Sequence, residues 1–280
     1  MGTKRFLFLT DFSENSVMAF DTVLKLGSGL DCELDVLHVV RPEIEAADTP
    51  VLAGRSAITR KEVAGEVMKT FIRSGLDKVP EAKMPIRQHV KIGQLISKTN
   101  ECYENYNHDL IILGTRGDNK SRIEKWLGTA SSKIIRSDIS NVLLIPPGFD
   151  FNGISQIAFA SALHDSDPFL LWKSLQFIKP YIPIVRWLHQ IEEPLLEEKK
   201  IAVFLDYFRN RPDDDVQMSF HRLKKGSFNQ AISSYIEHNN INLLIMVREP
   251  RNLWEELFYK SRTIEMAHSL KVPLLILKEE

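Results

Sequence analysis

Apolar residues in this chain fall in short, nearly unbroken runs, separated by longer stretches in which they recur every three or four positions. The runs Phe6–Leu9, Leu34–Val40, Ile86–Val90, Leu110–Leu113 and Val142–Ile145 lack the strict alternation of a strand with one wet face. They predict strands buried on both faces, as parallel sheets require. Helical periodicity fills the intervals near 14–29, 57–76, 93–106 and 128–138. Asp11 to Ser13 supply capping side chains before the first of these, and Gly93 punctuates the approach to the third.

The pattern occurs twice. Asp109–Gly114 (DLIILG) resembles Asn242–Val247 (NLLIMV) at an offset of 133 positions, and Val90–Gly93 resembles Leu223–Gly226 at the same offset. Val142–Ile145 answers Pro273–Ile276 at 131, and Phe6–Asp11 answers Ile157–Ala162 at 151. The falling offset makes the second copy about 20 residues shorter, and the missing material corresponds to the stretch from Pro42 to Arg60. Strands of the second copy are expected near 154–160, 183–188, 216–222, 242–247 and 273–277. The boundary falls at Pro146-Pro147-Gly148, where two residues without an amide donor and a glycine end a strand. Strands alternating with helices, five and five, predict an α/β chain of two tandem doubly wound domains, each with a five-stranded parallel sheet. The domains are expected at 1–148 and 153–280.

Composition narrows the function. The 280 residues carry 36 Lys+Arg against 37 Asp+Glu, a formal net charge of −1, with no long basic block. A protein that holds nucleic acid through phosphate neutralisation needs such a block, so no nucleic-acid partner is expected. Two cysteines, Cys32 and Cys102, and no C-x-x-C pair exclude a disulfide framework and a cysteine-rich zinc site, and fit a reducing compartment. The apolar run after Lys4 and Arg5 is too short for a signal peptide, and Phe6 stands where a myristoylation motif needs Ser or Thr. No segment reaches the length of a membrane span. The expectation is a soluble, cytoplasmic protein with no membrane partner.

Candidate chemistry concentrates at Gly114-Thr115-Arg116-Gly117, followed by Gly128-Thr129-Ala130-Ser131. Three of the chain's 13 glycines fall between positions 114 and 128, after a predicted strand and before a predicted helix. An open parallel sheet places its ligand there, beyond the carboxyl ends of the strands. Glycines admit a phosphate close to the backbone, amides at a helix start donate to its oxygens, Thr129 and Ser131 add hydroxyls, and Arg116 adds a cation.

These segments resemble the universal stress protein family: Phe8–Ser13 (FLTDFS), Leu37–Val40 (LHVV), and Gly-x-x-Gly followed by Gly-Thr-x-Ser ahead of a helix. The family pattern G-x2-G-x9-G-[S/T] is the ATP-binding signature of members that bind nucleotide. The resemblance implies an adenine nucleotide α-hydrolase-like fold, repeated in tandem. It implies that Asp11, with Thr10 beside it, lies near an adenosine, and that the backbone of Val39 contacts adenine. Gly114, Gly117, Gly128 and Thr129 match the phosphate signature, with Arg116 and Ser131 adjoining. Ten residues separate Gly117 from Gly128 here, where the family pattern has nine. The implied ligand is ATP or AMP, with Mg2+ as its candidate companion. Family domains pair through their last strands. Val142–Ile145 and Leu274–Leu277 are therefore expected to serve an internal pseudo-dimer or a homodimer.

The second copy departs from this pattern. Ala162 stands at the aspartate position and Val247 at that of Gly114, while Arg248–Tyr259 holds no glycine but includes Glu249, Glu255 and Glu256. It reads as a degenerate domain without nucleotide. Elsewhere, no H-E-x-x-H, no G-x-S-x-G and no G-x-x-x-x-G-K-[S/T] occurs. His38 reads as a packed structural histidine, Asp213–Asp215 as a solvated turn, and Ser161, His164 and Asp165 as one local segment. No catalytic residue and no metal ligand is assigned. Three functions remain: a stress-response protein that binds ATP or AMP in its first domain as a regulatory ligand, a slow ATP hydrolase, and a nucleotide-free interaction scaffold.

Overall fold

The structure is a computed structural model that describes residues 2–41, 50–115, 130–131, 133–135, 137, 139–161, 163–181, 183–190, 194–209, 217–223, 227–248 and 271–278. The chain divides into two compact units: the described residues up to Phe151 form the first and those from Asn152 the second.

In the first unit β1 (Lys4–Leu9), β2 (Cys32–Val40), β3 (Ile86–Ile92), β4 (Leu110–Gly114) and β5 (Val142–Ile145) form a sheet of order β3-β2-β1-β4-β5. Every pairing is parallel. Helices α1 (Glu14–Ser28), α2 (Pro50–Lys78) and α3 (Leu95–Tyr106) form the crossovers. Ser13 caps α1: its hydroxyl accepts from the Ser16 amide at 3.4 Å, with Glu14 in the first turn and Lys25 in the last. Asn107, left-handed at φ 50°, ends α3. The core between sheet and helices is aromatic. Phe8 of β1, Phe20 of α1 and Phe71 of α2 lie with ring centroids 4.7–6.4 Å apart.

A buried polar cluster sits elsewhere on this sheet. Asp35 of β2 is fully enclosed and accepts hydrogen bonds from Arg87 (3.0 and 2.8 Å) and His89 (2.5 Å) of β3, and from His108 (2.9 Å) ahead of β4. An ionised carboxylate only accepts, so both imidazoles present Nε2–H to it. Burial alone would raise this carboxyl, but the hydrogen bonds from His108, His89 and Arg87 outweigh it and hold Asp35 well below the usual carboxylate range. Tyr106 closes the cluster, with the Arg87 guanidinium 5.2 Å from its ring centroid.

The second unit repeats the plan with β6 (Gln156–Ala160), β7 (Ile184–Gln190), β8 (Gln217–Leu223), β9 (Leu243–Arg248) and β10 (Leu274–Lys278) in the order β10-β9-β6-β7-β8. These pairings too are all parallel. Its helices are α4 (Asp167–Ile178), α5 (Pro194–Arg209) and α6 (Phe228–His238). Both units are therefore α/β, each built on a five-stranded parallel sheet. β2 and β7 begin 152 positions apart and β3 and β8 131 apart, so the shortening of the second copy lies wholly in one crossover. That crossover carries α2, with 29 residues, in the first unit and α5, with 16, in the second. α2 starts at Pro50, seven positions ahead of the periodicity, and a proline in the first turn gives up only an amide that has no helical partner. Residues 42–49 lie outside the described residues.

Among the described residues, no helix is long and apolar enough to cross a membrane. Cys32 and Cys102 are both buried, and burial pushes their thiols up to about 11 and about 12.

Candidate functional site

The first sheet reverses its strand order between β1 and β4, which pair from Phe6↔Leu110 to Leu9↔Leu113. Past the carboxyl ends of these strands and of β2, the first unit opens into a cavity of about 500 Å³. A crevice at this switch point follows from topology: crossovers leave the sheet in opposite directions and leave the space between them uncovered.

Five of the nine residues singled out in the sequence line this cavity: Thr10, Asp11, Val39, Gly114 and Ser131. Arg116, Gly117, Gly128 and Thr129 lie outside the described residues. The structure gives the five distinct parts. Thr10 is buried with its polar groups engaged. Its amide donates to the Leu37 carbonyl at 3.0 Å, and its hydroxyl oxygen lies 3.0 Å from the Phe12 amide and 2.7 Å from the Ser16 hydroxyl. It braces the strand end. Asp11 is exposed at the rim, and its Oδ1 accepts from the amide (3.1 Å) and hydroxyl (2.6 Å) of Ser13. That turn fixes a carboxylate beside the start of α1. Val39 pairs in register with Lys91 of β3 and brings β2 backbone to the cavity.

Gly114 has a packing reason as well as a place in the motif. A Cβ there would stand 3.0 Å from the Ala19 Cβ and 3.0 Å from the Asn15 carbonyl oxygen, so its bareness lets α1 approach β4. The second unit carries Val247 at this position. There α4 begins only at Asp167, and Ser166, the counterpart of Asn15, lies in a turn. The Ser131 hydroxyl is buried and donates to the Gly114 carbonyl at 3.5 Å, joining the helical residues 130–131 to the end of β4.

The cavity also holds residues that the sequence reading did not assign to it. His38 of β2, read from the sequence as a packed structural histidine, also lines it. Its Nδ1 donates to the Thr10 carbonyl at 2.9 Å, and its ring stacks on Phe12, centroids 4.4 Å apart. Phe12 adopts φ 61°, which folds the chain back over the imidazole. Arg41 follows β2, and Arg60 reaches in from α2 with Nε and Nη2 buried. Ala64, one turn beyond Arg60, also lines the wall. With Asp11, the described lining carries two guanidinium groups, one carboxylate and one imidazole. That balance favours an anionic ligand.

The profile described as the Universal stress protein family matches residues 2–146. A search of curated proteins by sequence gives no match. Among solved structures, a universal stress protein from Archaeoglobus fulgidus DSM 4304 is similar at 16% identity. That match covers 98% of this chain and 96% of that one with a TM-score of 0.66. A functionally unknown protein from Pseudomonas aeruginosa PAO1 is similar at 13% identity over 99% of this chain and 93% of that one, with a TM-score of 0.56. A universal stress protein whose crystal structure is a complex with cAMP covers 52% of this chain and 98% of its own at 15% identity, with a TM-score of 0.38.

Proposed function

The chain belongs to the universal stress protein family, and from that premise we propose that its first domain, residues 1–148, binds ATP or AMP as a regulatory ligand in the cytoplasm. The observation that carries this reading is the cavity of about 500 Å³ beyond β1, β2 and β4. Its volume lies within the usual range for small-molecule sites, and its floor is strand-end backbone at a topological switch point. Peptide edges at Val39 and Gly114 suit the hydrogen-bonding rim of a purine and a close-approaching sugar-phosphate. Arg60 and Arg41 supply positive charge for phosphate oxygens. Gly117, Gly128 and Thr129 are assigned to the phosphates on the family pattern, and Arg116 as a cation beside them. The second domain, residues 153–280, is read as a degenerate copy kept for packing or partner contact.

The test is mass spectrometry of any small molecule released when the purified protein is denatured, followed by calorimetric titration with ATP and magnesium chloride. A stoichiometric adenine nucleotide, lost in a Gly117→Val variant, is the expected result. A protein that releases none and gives no heat with millimolar ATP overturns the proposal, and the chain is then a tandem scaffold. Turnover of bound ATP that disappears in Asp11→Ala would replace regulation by hydrolysis.

A further inference from the structure

The two units repeat more than a topology. Ser161 follows β6 as Thr10 follows β1, and His189 of β7 donates from Nδ1 to the Ser161 carbonyl at 2.8 Å. Leu163, at φ 63°, takes the place of Phe12, and its amide donates to the Ser161 hydroxyl at 2.9 Å. The same brace thus closes the same pair of strand ends in both copies, residue for residue at an offset of 151.

The crossover helices fix a second equivalence. Phe71 of α2 stands 6.4 Å from Phe8, and Phe204 of α5 stands 6.1 Å from Phe159, the counterpart of Phe8. This aligns α2 with α5 at an offset of 133 and places Glu197 at the position of Ala64. Ala64 lines the open cavity of the first unit. Glu197 instead sends its carboxylate to within 3.5 Å of His189 Nε2, and both side chains are nearly enclosed. In the first unit, among the described residues, His38 Nε2 has no hydrogen-bond partner, and the ring faces the cavity.

From this we infer that Glu197 occupies in the second unit the place that an anionic oxygen of the ligand takes in the first, and that His38 contacts that oxygen through Nε2. His38 is thereby a ligand-binding residue, and Ala64 is the position that keeps its site open. The inference rests on reading the cavity as a nucleotide site and deepens it, since it assigns a phosphate oxygen to a named atom. Nδ1 is committed to the Thr10 carbonyl, so Nε2 is the ring nitrogen left to meet the oxyanion. Among the described residues, the charged groups around the cavity are Asp11 from the turn before α1, Arg41 beyond β2 and Arg60 from α2.

Two variants separate this contact from the brace. In His38→Asn the side-chain amide stands near the old Nδ1 and can still donate to Thr10, while nothing replaces Nε2. In Ala64→Glu the first unit receives the carboxylate of the second. Calorimetric titration of the full chain with ATP and magnesium chloride is expected to give about tenfold weaker binding for His38→Asn and at least that for Ala64→Glu, as loss of a charge-assisted hydrogen bond predicts. The melting temperature of His38→Asn should match the parent, and adenosine, which lacks phosphate, should bind parent and His38→Asn alike. ATP affinities within twofold of the parent for both variants overturn the inference and leave nucleotide binding standing. Equal weakening for adenosine and ATP overturns the assignment to an anionic oxygen. A parent chain that does not bind ATP overturns the nucleotide reading and this inference together.

Discussion

His38 Nδ1 donates to the carbonyl of Thr10 at 2.9 Å, joining the carboxyl ends of β2 and β1 across the floor of the cavity. The second unit keeps this bond between His189 and Ser161 at 2.8 Å, although the glycines of the ligand motif are absent there. A contact preserved in both copies belongs to the architecture of the strand ends. What differs is the other ring nitrogen, which faces a cavity in one copy and a carboxylate in the other.

His189 is therefore expected to matter for stability. His189→Leu fills similar space but leaves the Ser161 carbonyl without its imidazole donor and the Glu197 carboxylate enclosed beside a hydrocarbon. A loss of about 2–4 kcal/mol follows from the lost donor to Ser161 and the apolar neighbour given to an enclosed carboxylate. His189→Asn keeps a donor for Ser161 and should lose about half as much. Chemical denaturation of the full chain, followed by tryptophan fluorescence, checks both, since Trp187 lies buried two residues away in β7. Equal stability of the two variants would contradict the brace.

Asp35 predicts a stability that depends on acid. Its carboxyl is held well below the usual range by His108, His89 and Arg87 in the folded chain, against about 3.9 when unfolded. The folded value is the lower one, so this stabilisation is fully present above about pH 4 and is lost as the pH falls further toward the folded value. Asp35→Ala leaves two imidazoles without their acceptor and the Arg87 guanidinium with Glu33 alone, and should cost about 3–5 kcal/mol at neutral pH. Its unfolding free energy should also fall less steeply below pH 4 than the parent's. Parallel acid titrations of the two proteins, followed by circular dichroism, check this, and a common slope would refute the assignment.

Gly75 tests the packing of α1 on α2. A Cβ there would stand 2.6 Å from the Phe20 ring, which Phe8 and Phe71 hold in place. Gly75→Ala should therefore cost about 1–3 kcal/mol through overpacking, although alanine is the better helix former. The second unit reverses the sizes, with Phe208 at the position of Gly75 and Leu171 at that of Phe20. In a Phe20→Leu background the alanine should lose about 1 kcal/mol of its cost, a coupling that a double-mutant cycle reads directly.

Much of this was written along the chain. Unbroken apolar runs are a local property of sequence, and buried parallel strands are the structure in which they leave no apolar face in water. Both sheets and the duplicated plan were legible for that reason. Thr10, Asp11 and Val39 were legible through the family resemblance, and their place at strand ends agrees with it because a doubly wound sheet opens its crevice there. Gly114 was legible as a glycine at a strand end, but the Ala19 and Asn15 contacts that require it come from the approach of α1. His38, Arg60 and Ala64 were not legible as a group. Periodicity tells which face of α2 is apolar. It does not tell how far that helix slides or turns over the sheet, and so leaves open which side chain meets the imidazole. The packing of Phe71 against Phe8 sets that register in one unit, and Phe204 against Phe159 sets it in the other. Only with both in place does the change from Ala64 to Glu197 become a filled site opposite an open one. Burial acts on each segment separately, so the strand ends follow from the sequence alone; the tertiary structure decided what faces them, because helix register is a balance of contacts between segments distant in the chain.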